Sequence, residues 1–190
     1  VDLATIRDQW RVDAQVVTIV FYRAHLQSGN LEPIIHLIEA LKAEFLSPLP
    51  VYISSLKDPQ SDKILQQVFA EAPPEVILNT TGFSASTPGG GRTQSAFDDC
   101  DCPVFQVILS GGSQEVWQKN TQGLSPRDIA MNVALPEVDG RIITRAISFK
   151  DKARYDPLTE HSVLRYEPKR DRIKFVAKLA ANWCRLCKTP

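Results

Sequence analysis

The segment VVTIVFY, Val16–Tyr22, constrains the fold more than any other stretch. It is an unbroken run of β-branched and aromatic residues. Seven residues are far short of the ~18 needed to span a membrane. An apolar run this short, without alternation, reads as a strand buried on both faces, and such strands belong to parallel sheets. A parallel sheet needs crossover helices, and the chain supplies them. Leu31, Ile34, Ile35, Leu37, Ile38, Leu41 and Phe45 recur at helical spacing, with Pro33 in the first turn. A second strand is expected over 49–54, a second helix over 61–72, and a third strand, EVILN, over 75–79. The β-α-β-α-β order predicts right-handed crossovers with helices on both faces.

The stretch 84–102, SASTPGGGRTQSAFDDCDC, offers few core residues. It is expected to be a flexible surface loop, nicked first by proteases near Arg92. Its GGGR lacks the Lys and Ser or Thr of a Walker A motif. A fourth strand is expected over 104–109, and a short helix with Trp117 over 113–120. A further helix is capped by Ser125, begins at Pro126 and is expected to stop near Pro136. The stretch 141–149 alternates as a fifth strand, 151–166 is expected to be irregular, and 169–187 is an amphipathic helix. On that helix the expected apolar face is Ile173, Val176, Ala177, Ala180, Trp183 and Cys187, with Trp183 largely buried. The expected fold is thus α/β: a three-layer, doubly wound, mainly parallel five-stranded sheet, flavodoxin-like, with an added C-terminal helix. Residues 1–150 are expected to form the sheet domain, and 151–190 a connection and helix leading on to downstream domains.

Charge adds a second constraint. The chain of 190 residues has zero net charge, but 141–190 holds 13 Lys and Arg against 5 Asp and Glu, a net of +8. The remainder carries 9 against 17, a net of −8. A basic arm for nucleic acid is one reading, and a solvated basic helix face is the simpler one. Cys100, Cys102, Cys184 and Cys187 form a CxC and a CxxC about 80 residues apart. Zinc ribbons keep their pairs roughly 15–20 apart, so neither a metal site nor a disulfide framework is expected. With no apolar leader at the start of the sequence, VDLATIRDQW, a cytoplasmic location is expected.

Open sheets bind ligands beyond the carboxyl ends of their strands. The residues expected there are Arg23, His25, Asn30, Ser55, Asn79, Thr81 and Ser110, with Glu137 and Asp139 from PEVDG. Arg23 suits a ligand carboxylate or, equally, an internal pair with a sheet-end acid, and His25 suits a base, a ligand or a loop histidine bonded to backbone. Glu137 and Asp139 fit a shared cation or proton, or two solvated acids in a turn. His36 lies in the apolar helix and reads as structural. No Ser-His-Asp, HExxH, GxSxG or dinucleotide fingerprint occurs.

Longer phrases carry more information. VFYRAHLQSGN, PVYISSLKD, NTTGFS, QVILSGGSQEVW and GLSPRDIAMNVALPEVDGRI follow one another over 20–142. Their succession resembles the large subunit of the metal chelatases, and ALPEVDGRIITRAISFK is closer to the cobalt branch of aerobic cobalamin synthesis than to the magnesium branch of chlorophyll synthesis. The resemblance implies a segment from the amino-terminal half of a much longer, tetrapyrrole-binding subunit. In such complexes AAA+ partner subunits hydrolyse ATP with Mg2+, and Co2+ enters a corrin precursor, hydrogenobyrinic acid a,c-diamide. The His- and Glu-containing stretch that follows in that family, HxGxHGxLEWLPGK, is not in this sequence. The chain is therefore expected to hold no cofactor or metal of its own, and to be inactive by itself, without membrane or nucleic-acid partners. A magnesium chelatase domain and a free-standing α/β receptor for a small polar ligand are the competing readings.

Overall fold

The computed structural model describes residues 3–85, 95–119, 121, 123–151 and 165–187, with the backbone of 155–156 and 161–162. A short helix α1 (Leu3–Arg7) precedes β1 (Val16–Tyr22), whose interior residues are almost fully buried. Pleating sends Val17, Ile19 and Phe21 to one face of the sheet and Val20 to the other, so this strand contributes to two cores. Then come α2 (Arg23–Gln27), α3 (Glu32–Ala43), β2 (Ser47–Ile53), α4 (Pro59–Glu71) and β3 (Val76–Asn79). The chain continues through β4 (Val104–Ser110), α5 (Gln114–Lys119), α6 (Pro126–Ile129), a π-helical turn (Ala130–Ala134) and α7 (Leu135–Val138). It closes with β5 (Ile142–Asp151), a two-residue pairing of β6 (Tyr155–Asp156) with β7 (His161–Ser162), β8 (Arg165–Pro168) and α8 (Arg170–Leu186).

Among the described residues the main sheet has six strands, in the order β2-β1-β3-β4-β5-β8. β1 to β5 run parallel, and β8 is antiparallel to β5. The expected five-stranded sheet is therefore corrected to six. The stretch 165–168 looked irregular because a short strand on the sheet's edge, alternately exposed and half-buried, has no run of apolar residues. β2 also begins earlier than expected and includes Pro48 and Pro50. The strand lies at the opposite edge, where an absent N–H breaks no ladder.

Helices cover both faces. On one, α3 presents Ile34, Leu37 and Leu41, and α8 presents Ile173, Val176, Ala177, Ala180, Ala181 and Cys184. The α8 stripe follows the i, i+3, i+4, i+7 rule, but it is rotated from the expected face. Cys184 is in the core, Cys187 is exposed, and Trp183 is only half-buried, with its ring edge-to-face on Phe105 at 5.8 Å. On the other face α4 packs Leu65 and Phe69. Its start is fixed by Pro59 and by Asp58, which accepts from the Gln60 N–H (3.2 Å) and the Ser61 hydroxyl (2.8 Å).

The expected loop 84–102 is partly corrected. Ala85, Ala96 and Phe97 are buried, and Ala96 and Phe97 join the α4 core. Arg92, the expected cleavage site, lies outside the described residues.

The helix from Pro126 does not stop at Pro136. It continues to Val138 because the turn before the proline widens to π geometry. A proline has no N–H and crowds the carbonyl four residues back, and the wider turn relieves this. The Met131 carbonyl, on that same turn, accepts the N–H of Phe83 at 2.8 Å instead. The loop after β3 is thereby fastened to this helix. Gly82 sits in the contact: a Cβ there would lie 3.0 Å from Asn132 Oδ1 and 3.2 Å from the Met131 carbonyl oxygen. Gly82→Ala is expected to cost about 1–3 kcal/mol by overpacking. Urea unfolding of the variant checks this, and an unchanged midpoint and slope would show that the loop shifts freely.

Candidate functional site

The sheet order places β2 and β3 on opposite sides of β1, so successive crossovers diverge there and leave a crevice at the carboxyl ends. A cleft of about 420 Å³ opens at that end of the sheet. Tyr22 and His25 border it after β1, Gly82 after β3, Asp128 from α6, Lys150 near the end of β5, and Tyr166 from β8.

The floor is built around Asp128, which is 5% exposed. Its Oδ2 accepts from the hydroxyls of Ser110 (2.8 Å) and Ser125 (3.1 Å). Its Oδ1 accepts from the Gly111 N–H (3.0 Å) and from Asn132 Nδ2 (3.3 Å). Ser125 returns the interaction by capping α6, accepting the Asp128 N–H at 3.1 Å. One carboxylate thus joins the end of β4, the SGG turn and the start of α6. Four donors offset the cost of burying its charge.

The wall is aromatic and cationic. The His25 ring meets Tyr166 edge-on at 5.2 Å, and Lys150 Nζ stands 5.3 Å from the centroid of the same ring. Burial, aided by the Lys150 ammonium, holds the His25 imidazole below its ordinary value, against the opposing effect of a backbone hydrogen bond at Asn30. Burial pushes the Tyr166 phenol up, as does the Asp128 charge. The folded His25 therefore binds fewer protons than the unfolded chain, whose imidazole titrates near pH ~6.5. Its stabilising contribution is full above that pH and is lost as pH falls through the folded value. Between about pH 7.5 and 5, wild type should lose more unfolding free energy than His25→Gln; equal losses would refute this burial effect.

Of the sequence-predicted residues, His25 borders the cleft and Ser110 supports its floor. Asn79 and Thr81 are fully buried at the end of β3 and bind each other and Gln106 of β4. The Gln106 Oε1 accepts from Asn79 Nδ2 (2.8 Å) and from Arg141 Nη1 (3.1 Å). Arg141 Nη2 then donates to Asp139 Oδ2 at 2.7 Å, and that oxygen also accepts the Ala85 N–H at 2.7 Å. These residues form an internal polar network. Asp139 is consumed by Arg141 while Glu137 is exposed on α7, so the two acids do not share a cation or proton. Arg23 is exposed at the start of α2, where its charge acts on Asp58. Asn30 and Ser55 serve local turns: Asn30 Nδ2 donates to Ser28 Oγ, and Ser55 Oγ accepts the Lys57 N–H. His36 is half-buried on α3 beside Glu32 and Glu39.

Sequence reasoning missed Asp128, Lys150, Tyr166 and Arg127. Asp128 had a signal, since S-P-R-D is a Ser-x-x-acid helix start. Tyr166 had none, because it depends on the unforeseen β8. The CxC lies elsewhere: Cys100 and Cys102 line a separate cavity of about 250 Å³ with Asp98 and Arg141. A hydrogen bond between the thiols lowers Cys100 and raises Cys102. Among the described residues no three His, Cys, Asp or Glu side chains gather as a metal site, and no helix is long and apolar enough to cross a membrane.

Residues 2–190 match the family model described as CobN/Magnesium Chelatase. The chain belongs to the CobN/magnesium chelatase family. This CobN-family chain is 50% identical over 167 residues, 88% of its length, to a Sinorhizobium sp protein named aerobic cobaltochelatase subunit CobN. It is 40% identical over 184 residues, 97% of its length, to the protein of the same name from Pseudomonas aeruginosa. These matches cover 13% and 15% of those relatives, so the chain spans about one seventh of their length. The solved catalytic subunit of cobaltochelatase from Mycobacterium tuberculosis superposes with a TM-score of 0.73 at 27% identity, over 93% of this chain and 15% of that one.

Proposed function

We propose that this CobN-family chain is a domain of the tetrapyrrole-binding large subunit of an ATP-dependent cobaltochelatase. In this reading Co2+, the substrate metal, is inserted into hydrogenobyrinic acid a,c-diamide in cobalamin biosynthesis, in the cytoplasm, and AAA+ subunits supply ATP hydrolysis. The observation that carries the choice of cobalt is relative identity. The two named cobaltochelatase subunits are 50% and 40% identical, whereas a rice magnesium-chelatase subunit ChlH is 26% identical over 67% of the chain.

Metal insertion needs bases for two ring N–H protons, partial stripping of the metal's waters, and a distorted macrocycle. The described residues supply a cleft with one neutral imidazole, and His25 is the group suited to proton transfer there. A cleft of 420 Å³ lies at the lower end of the roughly 300–1,000 Å³ usual for ligand sites. It suits part of a macrocycle's rim. The chain is accordingly one wall of a larger site and is inactive alone.

The test is a chimera in which this chain replaces the corresponding segment of the Pseudomonas aeruginosa relative, assayed with that organism's ATPase subunits. Cobalt insertion into the corrin precursor, with the isolated 190-residue chain inert towards both ATP and cobalt, is the expected result. A folded chimera that inserts no cobalt, or insertion by the isolated chain, overturns the reading.

A further inference from the structure

Two cations reach the cleft from separate elements, Arg127 from α6 and Lys150 from β5. Neither has an ion-pair partner among the described residues. Asp128 makes no direct ion pair with either, although its charge reaches Tyr166. It is next to Arg127 in sequence, but both its oxygens are already occupied by Ser110, Ser125, Gly111 and Asn132. Lys150 is half-buried, and among the described residues the face of Tyr166 is the group set against its ammonium. An anion entering the cleft meets both cations without displacing an existing ion pair. Among the described residues no hydrogen bond engages the Tyr166 hydroxyl, which is a donor in its neutral form.

We propose that the cleft is a carboxylate-binding site, in which Arg127 and Lys150 hold one ligand carboxylate between them and the Tyr166 hydroxyl donates to it. Phosphate fits less well. Phosphate sites are cradled by backbone N–H groups, and here those of the SGG turn are committed: Gly111 donates to Asp128 and Gly112 to Ser110 Oγ at 3.1 Å. A carboxylate needs only its two in-plane oxygens met, which suits a guanidinium on one side and an ammonium on the other. The volume admits a small carboxylic acid or the acid-bearing arm of a larger molecule. Only the identity of that larger molecule, a corrin precursor, rests on the chelatase reading.

The experiment is a titration of the isotope-labelled 190-residue chain, followed through the backbone amides of Gly111, Gly112 and Tyr166. Citrate, inorganic phosphate at matched ionic strength, and hydrogenobyrinic acid a,c-diamide are added separately to wild type and to four variants. Lys150→Met and Arg127→Met probe the cleft, while Lys174→Met and Lys178→Met on α8 are controls. Arg127 is exposed, so its variant keeps the fold even if Lys150→Met does not. Citrate should shift the three amides and bind more tightly than phosphate, and each cleft variant should weaken it about tenfold, the value of one charge-assisted contact of ~1.4 kcal/mol. The α8 variants should bind like wild type. Citrate binding that moves none of these amides, no binding at all, or equal weakening by the α8 variants overturns the site. If citrate occupies the cleft and the corrin precursor does not, the carboxylate site stands and the chelatase reading of its occupant falls.

Discussion

Asp139→Ala is expected to lower the unfolding free energy by about 3–5 kcal/mol, the cost of leaving a buried ion unpaired. The Arg141 side chain is 2% exposed and Asp139 is 11% exposed, and they meet at 2.7 Å. Burial already holds the Arg141 guanidinium below its ordinary value, with Asp139 as the chief group acting in the opposite direction. A guanidinium does not shed its proton to escape, so the variant must unfold, admit water, or carry the charge unpaired. The substitution also orphans the Ala85 N–H. Arg141→Met placed on top of Asp139→Ala should recover part of the loss, because it removes the stranded charge. Denaturant unfolding of the single and double variants measures both effects. Glu137→Ala, two residues away on the exposed side, should stay within about 0.5 kcal/mol of wild type. A comparable loss at Glu137, or none at Asp139, would mean that the pairing is misassigned.

Phe105→Ala should cost a similar amount, about 3–5 kcal/mol, for a different reason. Phe105 is 1% exposed near the start of β4, among the largest fully buried side chains, and it is the ring on which Trp183 rests. Truncation leaves a cavity bounded by strands on one side and α8 on the other. Trp183→Ala should cost less, since its indole is half-buried and water can fill part of the space. If Trp183 proved the costlier of the two by thermal or urea unfolding, α8 would be held to the sheet through the tryptophan rather than through its small residues.

These two sites also show what could be read from the sequence. The parallel core was legible because burial on both faces demands unbroken apolar runs, and β1 and β3 have them. The crossover helices were legible from periodicity and from Pro33 and Pro126. β8 was not, because an edge strand with polar alternate residues resembles a loop until its partner is known. Losing β8 meant losing Tyr166, and with it the wall of the cleft. Asn79, Thr81 and Asp139 were picked out as polar residues at strand ends, which is where ligands bind. Such residues can instead bind one another, and which they do depends on Gln106 and Arg141, whose side chains reach them across the sheet. Position along a strand was readable; the direction of a long side chain was not.

The antiparallel course of β8 has a further consequence. Asp151 lies directly opposite Arg165 in the sheet, so the chain leaves β5 and returns to it at adjacent points. Whatever is threaded between those two residues is anchored at both ends by the same ladder. Doubling the length of such an excursion adds only about 0.6 kcal/mol of closure entropy. Descent with insertion is therefore cheap at this place. The strands that carry Lys150 and Tyr166 keep their register whatever the length of that excursion, because the ladder closes on the Asp151–Arg165 pair.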